Sequence, residues 1–179
     1  MPRGKGYVSD HYIFFPAITF GLTNHLTLGG GMSLFPGASV KEQVFYFTPK
    51  IGLHASEKFD IAAGALILKP SSDATTEGIF YGVCTYGTPD ASLTAGLGYG
   101  YVDGNMASKP VVMIGGEKRL SRRTSLVSEN WIYPGEHPLI SYGIRLFGDS
   151  LSVDFALINI LGGEAVFPGI PYIDFVFNF

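Results

Sequence analysis

No run of about 20 apolar residues, the length a membrane-spanning helix needs, occurs in this sequence. The longest candidate, Tyr12 to Leu22, is short and carries Pro16 and Gly21. Charge is scarce as well. Asp, Glu, Lys and Arg make up 15% of the residues, against about 25% in ordinary soluble domains. The formal net charge of −3 offers no basic surface for nucleic acid, which is not an expected partner. Cys84 is the lone cysteine, so no intramolecular disulfide can form and no cysteine metal motif exists. Its simplest role is a small filler, buried or facing lipid. The first residues, MPRGKGYVSD, lack the hydrophobic stretch of a signal peptide.

Glycine and aromatics are abundant instead. Gly accounts for 24 of 179 residues, roughly twice the usual ~7%, and aromatics for 14%. Glycine is poor in helices, while aromatic side chains suit strands and membrane interfaces. Mean hydropathy is +0.25, so the chain is oily but its apolar residues are dispersed. Chains that cross lipid as strands have this property, because lipid-facing and lumen-facing residues alternate.

The dispersion is ordered, with a repeat of roughly 30 residues. Tight-turn signals fall at Thr23-Asn24, Ser56-Glu57, Thr88-Pro89-Asp90, Ser121-Arg122 and Gly148-Asp149. Alternating runs flank them, among them LTLGGGMSL from Leu26, FDIAAGALIL from Phe59, SLTAGLGYGY from Ser92 and LSVDFALINI from Leu151. Longer polar connections lie between: PGASVKE from Pro36, KPSSDATTEG from Lys69, DGNMASKP from Asp103, PGEHP from Pro134 and LGGEAVFPG from Leu161. Period-2 alternation marks strands, and short turns alternating with long loops mark an outer-membrane barrel. The expected fold is one domain over residues 1–179, an all-β, antiparallel, up-and-down transmembrane β-barrel. About eleven strands can be counted, each near the ~10 residues that span lipid. Tyr7 to Phe20 reads as the first of them. A single-chain barrel has an even number of strands. The count therefore predicts a twelfth strand upstream and a gap between the first and last strands present.

The alternation also assigns faces. Leu151, Val153, Phe155 and Leu157 point outward, and Ile158 falls inward where the pattern breaks. Thr27, Gly29, Gly31 and Ser33 point inward, as do Thr94, Gly96, Gly98 and Gly100. Tyr99, Tyr101, Trp131, Tyr133 and Tyr172 lie near the long-loop ends, where an aromatic belt at headgroup level is expected. Thr124 to Tyr133 has two registers, one of which turns Glu129 to lipid. A charge in lipid is the costlier error, so Glu129 is placed inside and a bulge is allowed for. The inward charges are then Lys50, Glu117, Arg119, Glu129, Arg145, Asp154 and Asp174. They are expected to form a lumen charge network that fixes register, or else a constriction or ligand site.

No catalytic set emerges. His137 and Ser141 are close in sequence, but a solvated loop histidine explains His137 more simply. No histidine pair has metal-ligand spacing, and no cofactor is expected. The glycine-rich stretches do not open helices, so they are not phosphate loops. The leading expectation is a non-enzymatic channel, or a structural or binding barrel, in the cell outer membrane. A lipid-modifying enzyme embedded in the barrel, or a soluble β-barrel for an apolar ligand, remain the alternatives. The last strand, PYIDFVFNF, alternates and ends at Phe179. It resembles the C-terminal signal read by the barrel assembly machinery, the expected partner besides outer-membrane lipid.

Over nearly its whole length the sequence resembles a group of uncharacterised outer-membrane barrel proteins of Bacteroidetes-type bacteria. The resemblance is carried by GYVSDHYIFFPAITFGLTNHLTLGGG, TPKIGL, ISYGIRLFGDSLSVDFALIN and GIPYIDFVFNF. It implies a signal peptide and a further N-terminal strand in the intact protein, and it assigns no site residues.

Overall fold

The computed structural model describes residues 1–71, 74–162 and 167–179. Parts of the long connections from Lys69 and Leu161 lie outside those residues. Among the described residues the strands form one antiparallel sheet. Its strands are β1 (Gly6–His11), β2 (Phe15–Gly21), β3 (Leu26–Met32), β4 (Phe45–Ser56), β5 (Phe59–Lys69), β6 (Glu77–Thr88) and β7 (Ala91–Val102). There follow β8 (Asn105–Met106), β9 (Val111–Ser121), β10 (Thr124–Ile132), β11 (Leu139–Phe147), β12 (Leu151–Ile160) and β13 (Ile170–Asn178). The two-residue β8 only folds back on the end of β7. The other twelve pair in sequence order, β7 with β9, and β1 pairs with β13 from Tyr7↔Asn178 to His11↔Asp174. The result is a closed twelve-stranded barrel.

Closure corrects the count of eleven strands with a gap. The segment Tyr7 to Phe20 is not one strand but the hairpin β1–β2, with registers from Gly6↔Phe20 to His11↔Phe15. Its turn holds Tyr12 and Ile13 at φ of 54° and 67°. Two successive left-handed residues suit the twist of a tight hairpin, and Asn-Gly is the usual sequence for them. Here a tyrosine and an isoleucine occupy the positions, so composition gives no turn signal. The same hairpin breaks the expected alternation, because the short connection 12–14 sits at the long-loop end. The remaining short turns, 22–25, 57–58, 89–90, 122–123 and 148–150, share the opposite end. A bulge does fall in the strand that follows Arg123, between Thr124 and Ser125.

The burial pattern is inverted relative to a water-soluble protein. Among the described residues the buried side chains are mostly polar: Ser9, Thr19, Ser33, Gln43, Ser125 and Asp174. The exposed ones include Ile18, Phe47, Ile51, Phe80, Leu97, Ile144 and Phe155. Accessible surface totals 11178 Å², where a solid monomer of this mass has about 8,500 Å². The excess is the inner wall of a hollow barrel. An apolar band outside and a polar wall inside is what strands crossing lipid require. No helix among the described residues is long and apolar enough to cross a membrane.

The inner wall is not uniformly small on its glycine-rich side. Tyr46 lies over Gly31, where an added Cβ would meet its hydroxyl at 2.6 Å. That hydroxyl donates to the carbonyls of Phe15 and Pro16 at 2.9 and 2.8 Å, tying β4 across β3 to β2. Tyr81 lies over Gly64 in the same way. Glycine is required at these positions because a tyrosine ring of the next strand and a backbone carbonyl, that of Pro16 at Gly31 and of Pro49 at Gly64, occupy the space of its side chain.

Candidate functional site

The lumen holds a cavity of about 670 Å³ on the wall built by β7, β9 to β13 and the tip of β1. Strand pairing puts Arg145 directly opposite Asp154, and their side chains meet in a fork. Arg145 Nε donates to Asp154 Oδ1 and its terminal amine to Oδ2, both at 2.7 Å. The other terminal amine reaches Glu117 Oε2 at 2.8 Å. One guanidinium thus spans two strands and binds two carboxylates, the bidentate geometry for which arginine is suited. Asp174 is the next residue across the sheet from Asp154 and is 8% exposed. Its Oδ1 lies 3.0 Å from His11 Nδ1, an ion-pair distance, although that oxygen makes no full hydrogen bond.

The other expected lumen charges separate from this cluster. Glu129 lines the same cavity and accepts a hydrogen bond from Trp131 Nε1 at 2.8 Å. Arg119 lies nearer the short-turn end, 3.6 Å from Asp90, with its guanidinium 4.4 Å from the centre of the Phe147 ring. Lys50, on β4, pairs with Thr27 of β3, across the barrel from the Arg145 cluster. No ion pair joins it among the described residues.

The aromatic belt needs revision. Tyr99 is exposed, and Tyr101 stacks on outward Phe80 at 4.9 Å, so these two face out as expected. Trp131, Tyr133 and Tyr172 instead line the cavity. Parity is the cause: a strand that turns Glu129 inward turns Trp131 inward, and one that buries Asp174 inward buries Tyr172 inward. The cost of the chosen register falls on Ser128 and Asn130, which take the outer face. Their polar groups are satisfied there, Ser128 Oγ by the carbonyl of Ser141 at 2.7 Å and Asn130 Nδ2 by that of Ile114 at 3.1 Å.

Several solved structures resemble this chain. The chain superposes on the KdgM porin in complex with disordered oligogalacturonate with a TM-score of 0.72, at 9% identity over 98% of both chains. For the NanC porin the TM-score is 0.60, at 8% identity over 97% of both. For an OmpT loop-deletion mutant from Vibrio cholerae it is 0.51, at 10% identity over 92% of this chain and 62% of that one. The fold is that of the porin-type outer-membrane barrels. No protein family matches the sequence, and no curated protein does.

Within this porin-like barrel the His137 and Ser141 pairing does not occur. Ser141 Oγ donates to the Glu129 carbonyl at 2.7 Å. A serine, histidine and aspartate do converge elsewhere, at positions no local motif marks: Ser9 Oγ is 3.3 Å from His11 Nε2, and His11 Nδ1 faces Asp174. The order of contacts is that of a hydrolytic triad, but Ser9 is 3% exposed. A nucleophile so covered has no room for a substrate carbonyl, so the set ties β1 to β13 rather than attacking an ester. A second, apolar recess of about 460 Å³ lies at the long-loop end, lined by Leu66, Leu68, Ile79, Val102 and Met106.

Proposed function

We propose that this chain is a non-enzymatic diffusion channel of the cell outer membrane, with its short turns in the periplasm and its long loops outside. The observation that carries the reading is the inverted barrel: a closed sheet, apolar outside, around a charged cavity of about 670 Å³. The Glu117–Arg145–Asp154 bridge braces one wall and narrows the passage without crossing it to Lys50. Phe179 closes the strand that the assembly machinery would read, and its backbone pairs with Gly6. The KdgM complex contains an oligogalacturonate, a polyanion. Four carboxylates against one guanidinium along this cavity disfavour such a chain here. Planar-bilayer recording of the purified barrel tests the channel directly. Discrete conductance steps are the expected result, and a silent membrane containing folded protein would contradict it.

A further inference from the structure

Resting on the channel reading, we infer that the lumen cavity is a binding site for a small organic cation, an ammonium or guanidinium compound. Two independent features point to this ligand. The first is charge. Glu117, Glu129, Asp154 and Asp174 line the cavity against Arg145 and the imidazole of His11. Arg145 is fully engaged by Asp154 and Glu117, so it neutralises one charge of that pair and leaves a surplus. Glu129 and Asp174 have no arginine or lysine partner among the described residues. Asp174 is 8% exposed and lines the cavity, and its Oδ1 makes no full hydrogen bond, the nearest cation being His11 Nδ1 at 3.0 Å. A buried acceptor left open is expensive unless a donor reaches it.

The second feature is the rings. Trp131, Tyr133, Tyr12 and Tyr172 border the same space. Tyr12 and Tyr172 meet edge to face, with centroids 4.6 Å apart and planes at 83°, which fixes both rings. Trp131 is fixed by its bond to Glu129. Burial, with Glu129 nearby, raises the Tyr133 hydroxyl above its ordinary value, so its ring stays neutral. Rings held around carboxylates form the surroundings in which a cation gains from both the π faces and the charge. An anion would meet repulsion from the acids, and a neutral solute would gain from the rings alone.

Trp131 is the single tryptophan of the chain, so its emission reports on this cavity and no other place. The test titrates the folded barrel in detergent with choline and, in parallel, with 3,3-dimethylbutan-1-ol, a neutral molecule of the same shape. Choline should give a saturable change in Trp131 emission, and the alcohol should need at least about tenfold more. Glu129→Gln and Asp174→Asn should each weaken choline by about tenfold, with Lys58→Gln in a far turn unchanged. Equal response to the two molecules would overturn the inference even if neither variant folded. So would unchanged choline affinity in both variants. Bilayer recording separates the two readings. Conductance without choline saturation removes the cation site and leaves the channel. Saturation that obeys the charge rules without conductance removes the channel and leaves the site.

Discussion

Replacing Arg145 by Ala should lower the stability of the barrel by about 2 kcal/mol, less than the ~3–5 that breaking a fully buried pair costs. The discount reflects lumen water: the Arg145 side chain is 34% exposed, Glu117 23% and Asp154 13%. Without the guanidinium, two carboxylates face each other and a third, Asp174, lies directly across from Asp154. Like charges at that spacing repel, and among the described residues none has another basic partner except His11 beside Asp174. Lys58→Ala, in the 57–58 turn, should stay within about 0.5 kcal/mol of the parent. Urea unfolding in lipid vesicles compares the two. Coincident midpoints would show that the bridge does not brace the wall.

Introducing arginine at two adjacent positions of β12 should separate the faces of the barrel. Phe155 is outward and 45% exposed, midway along its strand, and Ala156 lines the cavity. Phe155→Arg places a charge among lipid chains and should destabilise by about 2–4 kcal/mol. Ala156→Arg places the same charge among four carboxylates and should be tolerated, within about 1 kcal/mol. The readout is again the unfolding midpoint in vesicles. Equal loss at both positions would mean that the strand does not divide lipid from lumen.

Alternation made most of this barrel legible before any coordinates. Leu151 and Phe155 face out while Asp154, Ala156 and Ile158 line the cavity, as period-2 alternation requires. Arg145 and Asp154 meet because register places them opposite one another. The misreadings have local causes. Tyr12 and Ile13 take a backbone shape that normally selects Asn and Gly, so a hairpin passed for one strand. Residue type alone sends Trp131, Tyr133 and Tyr172 to the interface, although the parity of Glu129 and Asp174 turns them inward. Tyr46 and Tyr81 face the lumen with no turn or charge beside them to mark it. Their neighbours Phe45, Phe47 and Phe80 are the exposed, outward rings of the same strands. The approach of Ser9, His11 and Asp174 depends on β1 pairing with β13, and no local pattern reveals a contact across that span.

Closure of the sheet between its first and last strands is the claim on which the rest depends, and a disulfide tests it. Gly6 and Phe179 exchange both backbone hydrogen bonds, so the neighbouring pair Tyr7↔Asn178 is of the non-hydrogen-bonded kind. Its Cα atoms should be about 4.5 Å apart, within disulfide range. In a barrel carrying Cys84→Ser, Tyr7→Cys and Asn178→Cys, mild oxidation in the membrane should remove both thiols within a single chain, as counted by maleimide labelling. Two thiols that stay reactive in the folded protein would mean an open sheet and would contradict the account.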